Sequence, residues 1–361
     1  MRIVYNLRDQ NWETTKSLGV LQGSLRILEG FAGLPGIERL DVLANRSLAA
    51  RLSHLGALAP FIRIHGLKTP APSGWSRLLW DHWSVVRHTN ALSPDWLLLP
   101  KGFSPLARWP RARVSAYVHD NIFAYYRERG ARPFPVGQAT LFSRSLARTA
   151  ARAEVVVTNS EFTAAELNRT CHPRVLPRAI GAPVAVTAAG TDALRSGEAL
   201  LLLTSAWPHK LTARAIDWLQ RWQRETSSLR SVHGIGTLPA GVSWPRQEGW
   251  HHHGRANDDV FARLRRESAA LIYFSAYEGY GLPPVEAATE GLRAVASDLP
   301  PLRETMPASS LFANEDFASF SATLNRVLAS PAAAPLQLAT PVDVARRWLA
   351  ALSPVRRTTS G

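Results

Sequence analysis

The chain has 361 residues, 46% hydrophobic and 19% charged, a balance that suits globular domains and excludes a disordered or fibrous chain. Its 42 lysines and arginines against 28 acidic residues give a net charge of +14, which implies an acidic partner: nucleic acid, an anionic membrane surface or a phosphorylated substrate. The N-terminus shows no charged segment before a long apolar stretch, and runs such as Leu97 to Leu99 or Leu200 to Leu203 fall far short of the roughly 18 to 20 residues of a membrane span, so neither a signal peptide nor an integral segment is expected.

Met1 to Leu7 reads as a first parallel strand, and the leucines at 18, 21, 25 and 28 fall at helical spacing within a helix over Thr14 to Phe31. Arg39 to Leu43 and Phe61 to Ile64 read as further strands with a helix over Ala49 to Leu58 between them. This alternation predicts a doubly wound parallel sheet. Leu78 to Thr89 is a helix whose Trp80 and Trp83, among apolar neighbours, are expected to pack inside the protein. Two more strands, Pro94 to Leu99 and Val114 to Val118, come next, and the second ends in His119 and Asp120. In open α/β sheets ligands sit beyond the carboxyl ends of strands, which makes His119 a candidate site residue; Asp120 there also suits a cap for the next element. Glu154 to Thr158 is a further strand, and Ser160 caps a helix through Leu167. The single cysteine, Cys171, leaves no internal disulfide and fits a reducing cytoplasm.

Pro173 to Gly197, rich in Pro, Gly, Ala and Thr, reads as an interdomain linker. Beyond it, the strand Ala199 to Leu203 runs into Trp207-Pro208-His209-Lys210 and then a helix over Thr212 to Arg224. The chain has four lysines, Lys16, Lys68, Lys101 and Lys210, so one at a loop between strand and helix stands out. Ser231 to Gly236 is a short strand. His251, His252 and His253 are consecutive in an extended segment, so their side chains alternate between faces and make a poor metal set. Asn257 to Asp259 start a helix through Arg266.

The most informative stretch is Phe274 to Asp298, FSAYEGYGLPPVEAATEGLRAVASD. The apolar run Ala269 to Phe274 reads as a buried strand, Gly279 and Gly281 break it, and Pro283 and Pro284 open a helix whose first turn needs no amide from them. Gly281, Leu282 and Val285 remain as amide donors, so the helix start is an anion site. Glu278 before the loop and Glu286, read as lying inside the first helical turn, cannot hold a phosphate. Carboxylates accept hydrogen bonds from hydroxyls in pairs, which suits a diphosphate carried between two polyhydroxy rings, that is, a nucleotide-sugar. After it, Asp316 to Leu328 and Val342 to Leu352 read as helices.

EGYGLPPVE followed by AVASD resembles the signature of the family 4 retaining glycosyltransferases (glycosyl transferases group 1) of GT-B architecture, a Glu, seven residues and a second Glu. The resemblance is strong over Gly254 to Glu304 and weaker before it, and it departs at Glu290-Gly291-Leu292-Arg293, where relatives carry small residues and a proline. It implies two Rossmann-like domains facing a cleft, an acceptor-side domain over 1–185 with a C-terminal helix in 341–361 packing back on it, and a nucleotide-sugar domain over 186–340. It also implies that Glu278 contacts donor-sugar hydroxyls, Glu286 the ribose, Lys210 the diphosphate, together with the amides of Gly281 and Leu282, and His119 the donor sugar. Leu18-Gly19-Val20 is a weak match to a glycine loop facing the acceptor. The family often has an arginine a few residues before the lysine; none stands between Ala199 and His209, so the phosphate clamp is thinner or is completed from elsewhere.

The implied activity is retaining, metal-independent transfer of a hexose-type sugar from a nucleoside diphosphate sugar to a hydroxyl acceptor, with no cofactor, in polysaccharide, lipopolysaccharide or glycolipid assembly. A basic nucleic-acid-binding protein would use the +14 charge, but no zinc-finger spacing, RNP-like motif or P-loop accompanies it and Glu278, Glu286 and Lys210 would be idle. Retention of both glutamates and the lysine argues against an inactive scaffold. Between Arg108 and Arg152 nine arginines face only Asp120 and Glu128, a local +7. Arg144, Arg148 and Arg152 fall on one helix face, and Phe123, Tyr125, Tyr126, Phe134 and Phe142 are interleaved, a mixture that suits the cytoplasmic face of an anionic membrane and a lipid-linked acceptor.

Overall fold

A computed structural model describes residues 1–8, 10, 18–68, 74–184, 197–330 and 338–353. The chain divides into two compact units, residues 1–185 with 339–361, and residues 186–338.

In the first unit the described strands are β1 (Arg2–Asn6), β2 (Arg39–Asn45), β3 (Ile62–Leu67), β4 (Trp96–Leu99), β5 (Arg113–Val118), β6 (Val155–Thr158) and β7 (Arg178–Ala179). They form one parallel sheet in the order β3-β2-β1-β4-β5-β6-β7. Runs such as Leu97-Leu98-Leu99 are buried on both faces, as a parallel sheet covered by helices requires. The helices are α1 (Leu18–Ala32), α2 (Arg46–Leu58), α3 (Gly74–Leu92), α4 (Ile122–Glu128), α5 (Val136–Arg152) and α6 (Glu161–Cys171). Asn45 caps α2 and Ser160 caps α6 by accepting an amide of the first turn.

The second unit carries a parallel sheet of β8 (Ala199–Thr204), β9 (Val232–Gly236), β10 (Trp250–His252), β11 (Ser268–Tyr273), β12 (Arg293–Ser297) and β13 (Leu311–Phe312), in the order β10-β9-β8-β11-β12-β13. Its helices are α7 (Thr212–Thr226), α8 (Asp258–Glu267), α9 (Leu282–Thr289), α10 (Pro300–Arg303) and α11 (Phe317–Ala329). In each sheet the strand order reverses once, between β1 and β4 and between β8 and β11, which makes both sheets doubly wound and puts the ligand-binding crevice of each at that switch point.

The last helix, α12 (Pro341–Leu352), returns to the first unit behind a Thr340/Asp343 capping box. Trp348 is fully buried there, edge-on to Tyr5 with ring centres 6.2 Å apart, near Tyr117 at 5.7 Å and Phe31 at 6.1 Å, and its indole N–H donates to Ser115 Oγ at 2.8 Å. Gly30 is what lets α12 approach α1, since a Cβ there would lie 2.2 Å from the Pro341 carbonyl oxygen.

Several expectations need correction. Residues inside the expected linker extend the first sheet as β7, whose two-residue pairing with Val157 and Thr158 leaves no periodicity to read; residues 185–196 lie outside the described part. Leu18 and Gly19 are the first residues of α1, not a loop, and a Cβ on Gly19 meets nothing within 4 Å. Trp83 is 51% exposed with the Arg108 guanidinium 4.5 Å from its ring, so it does not pack inside; the Trp80 side chain lies outside the described part. The aromatic residues of the basic segment turn inward on each other. Phe123 stacks on Phe142 at 5.5 Å, Phe103 lies 4.9 Å from Phe142, Phe134 lies 4.8 Å from Phe123, and Tyr125 and Tyr126 are buried. Arg148 and Arg152 lie over the Trp109 ring at 5.7 and 4.8 Å, while Arg127, Arg132 and Arg144 are exposed.

Trp348→Ala should lower the unfolding free energy of the first unit by roughly 3 to 5 kcal/mol, the usual cost of emptying a large aromatic site. Trp348→Phe, which keeps most of the ring but not the bond to Ser115, should lose less in the same urea titration.

Candidate functional site

The loops after β8 and β11 flank the switch point of the second sheet. After β8 the chain runs through a 3-10 turn at Pro208–Lys210, and Leu211 then takes a left-handed conformation (φ +49°) that starts α7. Such a conformation costs a leucine on the order of 1 to 3 kcal/mol, so the surroundings must hold it. The Ser205 amide donates to Thr212 Oγ1 at 2.9 Å and the Thr212 hydroxyl donates back to the Ser205 carbonyl at 2.8 Å, closing the loop at its neck.

The loop after β11 is held from both sides. The Ala276 amide donates to the His209 carbonyl at 2.7 Å, tying the two loops together. The Ser275 amide donates to Ser297 Oγ at 2.9 Å, the Ser297 hydroxyl to Asn314 Oδ1 at 2.6 Å, and Asn314 Nδ2 to the Ser275 carbonyl at 2.7 Å, a closed ring spanning the ends of β11, β12 and β13. Gly281 then enters the left-handed region (φ +82°), where a Cβ would stand 2.5 Å from Leu302 Cδ2; glycine is required for conformation and for space. Helix α9 begins at Leu282 with Pro283 and Pro284 in its first turn, no side chain caps it, and the amides of Gly281 and Leu282 have no acceptor among the described residues.

These two loops bring Lys210 and Glu278 together. Lys210 Nζ donates to Glu278 Oε1 at 2.5 Å and to Tyr273 Oη at 2.6 Å, and the Tyr273 hydroxyl donates to the same Oε1 at 2.6 Å. The side chains of Lys210 and Glu278 are 21% and 12% exposed, so this ion pair is largely out of water. Burial by itself pushes the Glu278 carboxyl up, but the Lys210 ammonium and the hydrogen bonds from Lys210 and Tyr273 outweigh it and hold Glu278 below the usual range. Burial, with the neighbouring Glu278 charge, pushes the Tyr273 phenol well up, so it stays a donor. Two of the three ammonium protons are committed, which leaves one; Glu278 Oε2 has no partner among the described residues. The arrangement therefore offers a cationic donor beside a carboxylate acceptor, three residues ahead of the open amides that start α9.

Glu286 is the fifth residue of α9, beyond its first turn, because the helix already begins at Leu282, one residue ahead of the proline pair that the sequence reading took as its opening. His119 belongs to the first unit. Its Nε2 lies 2.8 Å from the Pro100 carbonyl, which can only accept, so the proton sits on Nε2 and Nδ1 carries the lone pair. The ring lies edge-on to Tyr117 at 4.8 Å, with Gly23 beside it. Burial, with the Lys101 charge adding to it, lowers its pKa to about 4 against the opposing bond to Pro100. Asp120 Oδ1 accepts the Ile122 amide at 3.0 Å, a turn-forming contact.

Sequence reasoning missed Tyr273 and His209. A tyrosine closing an otherwise aliphatic buried strand immediately before the glycine loop was the available signal for Tyr273. His209 is held neutral, its pKa lowered to about 4 by burial and then by Lys210, against Glu278. The nearby Arg214 donates to the Asn314 carbonyl and to Glu315, so it does not stand in for the missing clamp arginine. The departure at Glu290 is structural: its carboxylate pairs with Arg265 of α8 at 2.8 Å. Of the consecutive histidines, His251 and His253 share a face with His233, whose Nδ1 lies 2.9 Å from His253 Nε2, and His252 turns the other way to stack on Trp244. Among the described residues no group of three histidine, cysteine or carboxylate side chains is placed to hold a metal ion.

No family model matches the chain, and no curated protein matches it in sequence. Solved structures do match in fold. The chain is similar to Anabaena HepE in complex with UDP and glucose (TM-score 0.65, 12% identity, 98% of this chain and 100% of that one). It is similar to WaaG, a glycosyltransferase involved in lipopolysaccharide biosynthesis (TM-score 0.65, 13% identity, 96% and 94%). A third is a putative UDP-N-acetylglucosamine 2-epimerase from Listeria monocytogenes (TM-score 0.60, 13% identity, 97% and 95%). At these identities the likeness shows the GT-B fold, with its Rossmann-like parallel-sheet domains, and leaves the reaction to the site residues.

The two histidines predict an acid limit. Unfolded imidazoles take up a proton near pH 6.5, whereas His119 and His209 do so only near pH 4, so between these values the unfolded chain binds more protons. Stability should fall as pH drops from about 6.5 towards 4 and should not depend on these groups above pH 7. His119→Gln/His209→Gln should flatten the dependence of the urea midpoint on pH across that window; an unchanged slope would show that neither imidazole is held neutral.

Proposed function

We propose that the protein is a retaining glycosyltransferase that moves a hexose-type sugar from a nucleoside diphosphate sugar to a hydroxyl acceptor. The observation that carries this reading is the Lys210–Glu278–Tyr273 cluster at the β8/β11 switch point, beside the open amides of Gly281 and Leu282. A nucleotide-sugar needs a cation and amides for its diphosphate, and carboxylates on either side of them for the hydroxyls of the two rings that the diphosphate joins. In this reading the remaining Lys210 proton and the α9 amides meet the diphosphate, Glu278 Oε2 accepts from the sugar and Glu286 accepts from the ribose, while His119 Nδ1, in the first unit, is an acceptor suited to a hydroxyl.

The bond from the anomeric carbon to the diphosphate oxygen breaks, so charge gathers on the leaving group, and stabilising that charge is the electrostatic contribution expected to dominate. The acceptor oxygen attacks the same face and its proton passes to the leaving phosphate oxygen, which requires no carboxylate nucleophile. Lys210 and the amides take the part that a divalent cation would otherwise play, and the reaction proceeds without metal. Likeness to HepE, with its UDP and glucose, and to WaaG supports polysaccharide, lipopolysaccharide or glycolipid assembly as the setting.

Glu286→Gln should weaken binding of free nucleoside diphosphate by roughly 1.5 to 3 kcal/mol, the worth of a charge-assisted hydrogen bond, whereas Glu278→Gln should spare that binding and lower turnover. Calorimetry with UDP, GDP, ADP and dTDP, and then turnover in excess EDTA, separates the two. Equal loss of nucleotide affinity in both variants, or loss of turnover in EDTA, would count against the reading.

The acceptor side of the proposal is a lipid-linked acceptor at an anionic cytoplasmic membrane surface. With the aromatic rings of residues 103–142 stacked on each other, docking rests on charge: the exposed Arg127, Arg132 and Arg144 contribute about 1 kcal/mol each near an anionic leaflet. Liposome flotation should show binding to anionic and not to neutral vesicles, released by high salt and lost in Arg127→Glu/Arg132→Glu/Arg144→Glu. Indifference to lipid charge would leave these arginines as a solvated face.

A further inference from the structure

The first unit has a second cluster of charge that the proposed chemistry does not use. Arg8, two residues beyond β1, Lys68, the residue after β3, and Arg87 and His88 on α3 converge on a cleft of about 450 Å³, with Leu67 and Ala91 as its apolar walls. Arg8 forms the buried part at 1% exposure, and its Nη2 donates to the Lys68 carbonyl at 3.3 Å, which ties the end of β1 to the end of β3. Lys68 and Arg87 are exposed. His88 Nδ1 lies 2.7 Å from the Ser84 carbonyl, which fixes its proton there and leaves Nε2 as the other ring nitrogen. No acidic side chain lines the cleft among the described residues.

The exposed Lys68 and Arg87 stand beside Arg8 at one concavity, and a concentration of positive charge favours an anion that enters it. Arg8 and Lys68 follow the carboxyl ends of β1 and β3, where open α/β sheets take ligands, and the last turns of α3 close the cleft from the other side. Its volume falls in the range of small-molecule sites and exceeds that of a bare phosphate, and the Leu67 and Ala91 walls suit a carbon skeleton beside the charged group. Arginine binds phosphate through a planar fork and lysine as a point charge, and the cleft supplies both.

We infer that this cleft is a second anion site, which binds the phosphate or diphosphate group of a small phosphorylated molecule independently of the nucleotide site in the other unit. The group is carried either by a soluble metabolite or by a lipid.

The test uses the full chain carrying Lys210→Ala, which removes the phosphate donor of the second unit, and inorganic pyrophosphate as the probe. Calorimetry should show pyrophosphate binding that persists in Lys210→Ala and weakens at least tenfold when Lys68→Glu/Arg87→Glu is added. Both residues are exposed, and an unchanged circular dichroism spectrum establishes that the variant folds. Absence of binding in Lys210→Ala, or binding indifferent to the two reversals, would overturn the site. Neutral vesicles doped with a polyprenyl diphosphate distinguish the sources: capture that free pyrophosphate competes away assigns a lipid-borne group, and binding of free pyrophosphate without capture assigns a soluble one. Failure of wild-type protein to bind any nucleoside diphosphate, with the cleft still active, would remove the glycosyl-transfer reading and keep this site.

Discussion

An ion pair held mostly out of water organises the second unit. Desolvating Lys210 and Glu278 costs several kcal/mol for each ion, and their attraction offsets that only when the geometry is good and the remaining polar atoms are occupied. Tyr273 contributes to both conditions, since it accepts from the lysine and donates to the carboxylate. The neck at Ser205 and Thr212, the His209 carbonyl that receives Ala276, and the ring of Ser275, Ser297 and Asn314 then keep the two loops from drifting apart. Replacing such a pair by apolar residues is often neutral or stabilising in proteins at large. Its presence at a switch point, beside a helix start with open amides, is therefore better explained by what it can bind than by what it adds to stability.

The two units use one topology for different local chemistry. In the second, the loops at the switch point carry opposite charges in contact. In the first, the equivalent edge carries His119, kept neutral by burial with its proton directed at the Pro100 carbonyl, and farther along it the cluster of Arg8, Lys68 and Arg87. A neutral acceptor nitrogen suits a hydroxyl, and a concentration of cations suits a phosphate. The fold accommodates both because its strands are buried on both faces, and the loops at their carboxyl ends are where open α/β sheets meet ligands.

Arginine, which supplies nearly all of the positive charge, serves several purposes. Arg148 and Arg152 cover Trp109, Arg108 covers Trp83, Arg129 lies 3.9 Å from the Tyr125 ring, and Arg169 bridges Glu128 and Glu166. These guanidinium groups seal apolar surface or join helices, as their planar shape allows. The net charge therefore overstates the surface left for an anionic partner, and the distribution of exposed arginines matters more than the sum.

Much of this was legible in the sequence. Strand and helix alternation, the aliphatic runs, the capping serine at 160, and the glycine and proline residues around 281 to 284 are local features, and local propensity is what periodicity and turn chemistry encode. They determined two doubly wound sheets and a helix start with uncapped amides, and the spacing of Glu278 and Glu286 pointed to a nucleotide-sugar. What the chain order could not express is adjacency across a sheet. Lys210 meets Glu278 across 68 residues because β8 pairs with β11, and Tyr273 joins them because it closes the same strand. The inward turn of the aromatic cluster, the exposure of Trp83, the displacement of Glu286 past the first turn of α9 and the convergence of Arg8 with Lys68 and Arg87 likewise depend on which elements lie side by side. Strand order and helix packing decide those neighbours, and they are set by how the whole collection of apolar faces is buried, which no single window of residues contains.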